Sequence, residues 1–494
     1  MTEKFTLAID QSTSATKFLL FDDQAGLRHR LSLEHRQYYP KAGWVEHDPA
    51  EIIENIYKGV EVLLNNSGVA PGDIVSVAIT NQRESVLVWD AATSKPVSPV
   101  VVWQCQRGAA ICAELKNKGY EEMLRSRTGL IIDPYFSASG VQWILEEIPG
   151  LKERARAGEL RMGTMDSWLI WNLTGGRVHA TDQTNASRTL LYNIHSLSWD
   201  REILSLFGIP ESMLPRVLAC DQVFGNTDFR GLLPRAVPIA GVLGDSHGAL
   251  VGQSCFTPGM GKATYGTGSS VMVNIGSTPL KAPQGLVTSV AFAALGKTFY
   301  AFEGNIHCTG ATIKWMEDEL GLLTGSAESE ALALSVDDNA GVYLVPAFAG
   351  LGAPWWKPDA RAIICGLTRG SSKAHIVRAG LEAIAYQVKD LVDLMLSQAG
   401  TTLEELRVDG GPVRNRFLMQ FQADMLNAPI NVSPIEEASA LGAVYMNFLA
   451  QGRVRNLEQL SQLKIRKEQL RPRMNAAQRE QLYAGWKQAV KMIL

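Results

Sequence analysis

A chain of 494 residues exceeds what one hydrophobic core usually supports, so two units of about 250 residues are expected. Its composition, 46% hydrophobic and 20% charged, is that of an ordinary globular protein. The net charge of −3 offers no attraction to nucleic acid or to an anionic membrane surface. The most apolar stretch, 341–356, is broken by Gly and Pro and is short for a membrane span. The cysteines at 105, 112, 220, 255, 308 and 365 form no Cys-x-x-Cys pair and have no histidine at zinc-finger spacing. With no apolar leader before the first strand-like run, a reduced cytoplasmic protein without nucleic-acid or membrane partners is expected.

The chain opens on a β-rich run, a turn of small hydroxylated residues and a second β-rich run, from Phe5 through Asp10 and the turn around Ser12, Thr13 and Ser14 to Lys17 and Phe21. That is the pattern of a tight hairpin. A third strand-like run follows, and Asp48-Pro-Ala-Glu51 reads as a helix start. Ile52, Ile53, Ile56 and Val60 then recur at helical spacing. Val75–Ile79 reads as a buried strand running into polar Arg83 and Glu84, and Val100–Trp103 as another running into Gln104–Arg107. Ligands of open α/β sheets gather at the carboxyl ends of strands, so these polar runs are site candidates.

Near residue 250 the pattern restarts. Val237–Leu243 is apolar, Gly244-Asp-Ser-His-Gly248 precedes a small-residue helix, and a second hairpin runs from Lys262 through Gly266-Thr-Gly268 to Ile275. Later, Leu406–Asp409 leads into Gly410-Gly-Pro-Val-Arg-Asn415 and a helix, and 475–494 reads as an amphipathic surface helix with Leu482, Trp486, Val490 and Ile493 on one side. Small residues in a hairpin turn let backbone N–H and hydroxyl groups approach an anion closely. Two such turns, one per half, suggest related units, 1–250 and 251–494, facing one polyphosphate.

Several familiar phosphate and metal signatures are absent: no Gly-x-x-x-x-Gly-Lys-Ser/Thr loop, no Gly-x-Gly-x-x-Gly after a strand, no His-Glu-x-x-His. Gly244-Asp-Ser-His-Gly248 does fit the Gly-x-Ser-x-Gly nucleophile elbow between a strand and a helix. An α/β-hydrolase with Ser246 as nucleophile, and His307 or His375 as base, is therefore one alternative. The competing reading makes Asp245 the working residue and Ser246 part of an acceptor pocket.

Ordered blocks along most of the chain resemble the FGGY carbohydrate kinases, and within them the glycerol kinases: Gly43-Trp-Val-Glu-His-Asp-Pro49, Ile79-Thr-Asn-Gln-Arg-Glu84, Asp166–Gly175, Thr184-Asn-Ala-Ser-Arg188, Thr264-Tyr-Gly-Thr-Gly268, Phe348–Pro354 and Gly366-Leu-Thr-Arg369. The resemblance implies an α/β fold of two ribonuclease-H-like, actin-like ATPase domains around a central cleft. It also implies ATP, Mg²⁺ and γ-phosphoryl transfer to an alcohol of a small polyol or sugar. By matched position it implies that Asp10 helps to hold the metal and that Thr13, Ser14 and Lys17 lie at the phosphates. Thr267 and Gly268 would cradle the β- and γ-phosphates, and Gly310, Lys314, Gly411 and Asn415 would line the nucleotide pocket. Arg83, Glu84, Trp103, Tyr135 and Ser246 would line the acceptor pocket, with Asp245 as general base. Departures from the family's usual residues stand at Ser12, Lys17, Cys105-Gln106, Ser246-His247-Gly248 and Lys314. A non-catalytic sugar-binding role on the same fold is a second alternative, which a damaged phosphate or base position would favour; Asp10, Thr13, Asp245 and Thr267 are intact. A homo-oligomer is compatible with the sequence, which does not specify the state.

Overall fold

The computed structural model describes residues 3–433, 437–463 and 468–494. Among these, two large sheets carry the architecture. The first contains β1 (Phe5–Gln11), β2 (Ala15–Phe21), β3 (Leu27–Glu34), β4 (Ile74–Asn81), β5 (Val223–Thr227) and β6 (Val237–Gly244), in the order β3-β2-β1-β4-β6-β5. The second contains β7 (Met260–Tyr265), β8 (Ser269–Gly276), β9 (Val287–Ala294), β10 (Lys297–Ile306), β11 (Glu405–Gly410), β12 (Ile430–Val432) and β13 (Glu468–Leu470), in the order β9-β10-β8-β7-β11-β12-β13.

Apart from β9, the two sheets repeat one plan. In the first, neighbours pair antiparallel, antiparallel, parallel, parallel and antiparallel from β3 to β5. From β10 to β13 the second gives the same series. The two hairpins occupy equivalent positions: β1–β2 closes with Gln11 opposite Thr16, and β7–β8 with Tyr265 opposite Ser269. In each sheet a parallel strand, β4 or β11, flanks the hairpin and ends beside its turn.

Burial follows from the strand period. Every residue of β1 is buried, as expected of a strand covered on both faces. Phe5, Leu7 and Ile9, with Phe18 and Leu20 of β2, pack on α1 (Pro49–Ser67) through Ile52, Ile56 and Val60. Asp48 caps α1 by accepting from the Ala50 N–H, and Gly68 ends it in the left-handed conformation. The alternate residues Ala8, Leu19 and Phe21 face the other way, into a core shared with the second half.

Two helices lie in that shared core: α2 (Asp245–Gly252) from the first half and α6 (Ala438–Ala450) from the second. The others used below are α3 (Gly310–Asp318), α4 (Lys373–Ala399), α5 (Arg416–Leu426) and α7 (Ala476–Lys491). Asn447 of α6 donates through Nδ2 to the carbonyls of Val77 (3.1 Å) and Ala240 (2.8 Å), and its Oδ1 accepts from Ser76 Oγ. The helices touch backbone to backbone: a Cβ on Gly442 would lie 1.9 Å from the Gly248 carbonyl oxygen, and one on Gly248 would lie 2.6 Å from that of Ser439.

β9 and β10 also lean on the first half. Thr288 N–H bonds the Gly129 carbonyl, Cys220 N–H that of Ala293, and Tyr300 Oη that of Ile194. Two expectations need correction. The strand at Val100–Trp103 is only Val100–Val101, because the chain turns at once, with Cys105 N–H bonded to the Val102 carbonyl. The C-terminal helix, α7, is more than a surface helix: Trp486 is fully buried, stacks on Tyr386 at 5.3 Å and donates to Asp390.

A methyl group at the α2–α6 crossing has nowhere to go except by moving backbone. Gly442→Ala should lower the unfolding free energy by about 1–3 kcal/mol in urea titration, despite the roughly 1 kcal/mol that alanine gains in helix propensity. Gly325→Ala, at an open position with no left-handed backbone, should be near neutral.

Candidate active site

The ends of β1, β4 and β6 lie side by side, next to the turn of the first hairpin. Asp10, next to last in β1, is 6% exposed and pairs across the hairpin with Lys17. Lys17 Nζ lies 2.7 Å from Glu437 Oε2 and 3.8 Å from Asp10 Oδ2. Burial pushes the Asp10 carboxyl up to about 7; the Lys17 ammonium opposes this, and the Asp245 and Glu437 carboxylates add to it. The Asp10 and Glu437 carboxylates thus flank the Lys17 ammonium, and carboxylate oxygens of this kind suit a hard divalent cation. Among the described residues no three His, Cys, Asp or Glu side chains lie close enough to hold an ion by themselves.

In the first turn, Ser12 Oγ donates to the Ala15 carbonyl and Thr13 Oγ1 accepts from Trp103 Nε1 at 3.0 Å. The Thr13 hydroxyl hydrogen remains available to a ligand. Ser14 is exposed and is tied to the fold through its carbonyl, which accepts from His35 N–H. In the second turn, the Gly266 and Thr267 carbonyls accept from the N–H groups of Gly310 (2.9 Å) and Ala311 (3.0 Å). The turn is thereby seated on the first turn of α3, and the Thr267 side chain remains exposed. Gly268 packs against the Ile306 carbonyl, which a Cβ would approach to 2.4 Å.

Beside this turn opens a cavity of about 960 Å³, the size of a small-molecule or cofactor site. Ile313, Leu381, Ile384 and Leu418 supply apolar walls, and Thr267, Gly310, Lys314, Gly411 and Asn415 line its polar parts. Asn415 is held by two local bonds: it accepts from Leu418 N–H, capping α5, and donates to Ser329 Oγ. Lys314 is exposed and bonds Asp318 at 2.7 Å. Gly268 and Ser14 are outside this lining.

The other group of candidate residues surrounds Arg83 and Glu84, which follow β4. Glu84 has φ +62°, a strained conformation for a non-glycine residue. Arg83 forms a fork with Glu303 of β10, Nη1 to Oε2 at 2.9 Å and Nη2 to Oε1 at 2.8 Å, and its Nε lies 3.2 Å from Asp245 Oδ1. Arg188 Nε donates to Glu84 Oε1 at 2.5 Å, and its Nη1 lies 2.9 Å from Glu303 Oε2. Arg83, Glu84, Arg188 and Glu303 are all buried. The two guanidinium groups hold Glu303 well below the usual carboxylate range. Burial pushes the Tyr135 hydroxyl up, and the Glu84 carboxylate adds to this. Tyr135 meets Trp103 edge to face at 5.5 Å.

Asp245 begins α2 with its side chain 38% exposed. Ser246 follows in regular helix with no left-handed φ, so the strained strand-to-helix turn of a nucleophile elbow does not form. His247 is fully buried and faces away from Ser246's chemistry: its Nε2 pairs with Ser289 Oγ at 3.1 Å and its Nδ1 has no partner. Burial and the Arg83 charge hold it well below the usual histidine range. Sequence reasoning passed over Glu303, Arg188 and Glu437. Arg188 ends a block quoted above; Glu303 is one charge inside an apolar strand and carries no local signal.

The N-terminal domain model of the FGGY family of carbohydrate kinases matches residues 5–252, and the C-terminal domain model residues 261–451. Glycerol kinase 1 of Thermotoga maritima is 51% identical over 99% of both chains. The glycerol kinase of Symbiobacterium thermophilum is 49% identical over 99% of this chain and 98% of its own. The crystal structure of Plasmodium falciparum glycerol kinase with ADP superposes with a TM-score of 0.94 at 34% identity, covering 100% of this chain and 98% of that one. Gluconate kinase from Lactobacillus acidophilus shares the fold, with a TM-score of 0.89 at 20% identity over 99% and 98% of the two chains.

Because Ser246 sits in regular helix without an elbow, and the candidate base His375 is engaged by Ser372, a serine-directed phosphonate should leave Ser246 unlabelled by peptide mass mapping. Stoichiometric labelling would restore the hydrolase reading.

Proposed function

The chain belongs to the FGGY family of carbohydrate kinases, and on that premise we propose that it transfers the γ-phosphoryl group of ATP to a terminal hydroxyl of glycerol or a related small polyol or ketose. The observation that carries this reading is the duplicated hairpin: two anion-cradling turns at the same place in two sheets of one plan, with Asp245 at a strand end beside them. The division near residue 250 is supported by the two sheets falling on either side of it. No described helix is long and apolar enough to cross a membrane. The six cysteines are unpaired, which supports a cytoplasmic setting.

Phosphoryl transfer asks the protein mainly for positioning, charge neutralisation and a group to accept the alcohol proton. Thr13 and Thr267 present hydroxyls from opposite hairpins, where phosphate oxygens would lie between them. Asp10, with Lys17 beside it, would hold Mg²⁺ through water, and the metal when bound would neutralise phosphate charge. Gly310, Lys314, Gly411 and Asn415 line the cavity proposed for the nucleoside. Arg83 and Glu84 supply a donor and an acceptor for vicinal hydroxyls, and Trp103 with Tyr135 covers the carbon chain. Asp245 then takes the proton from the attacking hydroxyl. Its partly exposed carboxylate is free of a forked partner, unlike Glu303.

Loss of a general base typically costs 10²–10⁴-fold in rate. Asp245→Asn should therefore lower kcat by about 10²-fold or more while leaving ATP binding by calorimetry unchanged, and Ser246→Ala should lose far less. Equal losses in both variants would contradict the assignment.

Acceptor length is the second test. Ser246 stands where the family's usual residue is glutamine, and the shorter side chain forgoes a hydrogen bond worth about 0.5–1.5 kcal/mol and leaves space beside Asp245. Assayed side by side, glycerol should turn over, and a tetritol, pentitol or ketopentose should reach equal or higher kcat/KM. Ser246→Gln should shift preference back to glycerol. A wide preference for glycerol in the parent would refute the longer acceptor.

A further inference from the structure

We propose that Glu303, contributed by the second half of the chain, is the positioning residue that aims Arg83 at the acceptor and keeps Asp245 available as base. The inference rests on the kinase reading above and goes beyond it, since Glu303 lies in the opposite half from every residue assigned to the acceptor.

Arg83 has five N–H groups in a fixed plane. Glu303 engages both terminal nitrogens, at 2.9 and 2.8 Å, which fixes the plane and leaves Nε toward Asp245 at 3.2 Å. The same carboxylate lies 2.9 Å from Arg188 Nη1, while Glu84 accepts a hydrogen bond from Arg188 and stands 3.9 Å from Arg83 Nε. Among the described residues, Glu303 is thus the one buried carboxylate hydrogen-bonded to Arg83. Without its charge, two buried guanidinium groups share Glu84 alone. A buried charge left without its counter-ion seeks another, and Asp245 is the carboxylate already in reach. A fork between Arg83 and Asp245 would occupy the oxygens that must receive the alcohol proton.

The position of Glu303 sets what should and should not change. β10 pairs with β9, which is bonded to the first half through Gly129 and Cys220, so Glu303 is presented from a strand anchored on the acceptor side. The cavity assigned to the nucleoside is lined by α3, α4 and α5 and does not include it. A defect at Glu303 should therefore weaken acceptor use and leave nucleotide binding intact, a split that general destabilisation would not produce.

The test is steady-state kinetics with MgATP and glycerol on wild type, Glu303→Gln and Glu303→Asp, with ATP-analogue binding by calorimetry. Glu303→Gln should raise acceptor KM and lower kcat, each at least about tenfold, with analogue affinity within about twofold of wild type. Glu303→Asp, which keeps the charge on a shorter arm, should recover at least a third of the lost kcat on a logarithmic scale. Acceptor and nucleotide constants that move together, or that do not move, would overturn the proposal, as would an Asp variant no better than Gln. If Glu303→Gln does not fold, Glu303→Asp decides: a raised acceptor KM with fixed nucleotide affinity supports the proposal, and an unchanged acceptor KM overturns it. An inactive wild type would defeat the kinase reading and this inference with it; an active wild type with an unaltered Glu303→Gln would defeat the inference alone.

Discussion

Two guanidinium groups and two carboxylates share one buried space beside the proposed acceptor residues, and most of the site's geometry follows from that. Stripping water from four charges costs several kcal/mol each, which pairing recovers only when the geometry is good. Here Arg83, Arg188, Glu84 and Glu303 balance to zero net charge and are each almost fully enclosed. Such a set is a poor source of stability, because well-packed apolar residues could serve as well. What it supplies is direction. The carboxylates respond differently: Glu303, hydrogen-bonded to Arg83 and ion-paired with Arg188, is held far below its ordinary range, whereas burial outweighs the attraction of Arg188 and Arg83 at Glu84 and pushes it up. Since Glu303 comes from the second sheet, the set completes itself only when both halves have folded and met.

A second link ties the proposed phosphate side to the proposed acceptor side. Trp103 packs edge to face on Tyr135, both proposed for the acceptor, and its indole N–H is donated to the Thr13 hydroxyl in the first hairpin. The orientation of the aromatic pair and that of the Thr13 hydroxyl are therefore one constraint. Asp10 and Lys17 form a comparable unit, because the hairpin register places them opposite each other and Glu437 of the second half fixes the ammonium.

What was legible in the sequence was what is local. Both hairpins, the cap of α1 and the strand–turn–helix at Gly244 announce themselves within a few residues, because turn chemistry and capping act over that range. The candidate site residues at strand ends were legible for the same reason, and the family blocks supplied the rest. Glu303 was not, since a lone acid within Phe302–Asn305 has no periodic or turn signature; its meaning lies in Arg83, which no spacing rule connects to it. Nor was the placement of α6, which belongs to the second half of the chain yet bonds to Val77 and Ala240 of the first. The depth of α7 escaped notice because Asp390, which accepts from Trp355, Tyr483 and Trp486, lies on a distant helix.

The way α6 is docked bears on how far this protein can be divided. By sequence the chain parts neatly between its two sheets, and a boundary there invites the idea of two freestanding pieces. Physically each piece is indebted to the other. The first, cut off after α2, would present Ala8, Leu19, Phe21 and Leu243 to water, together with the carbonyls of Val77 and Ala240 that Asn447 now satisfies. The second would carry α6 with Gly442 bared along the line where α2 had lain. Neither fragment is a small protein in its own right. They are two parts of a single solid built twice on one strand plan, and the core between the two sheets is closed by a helix from each half.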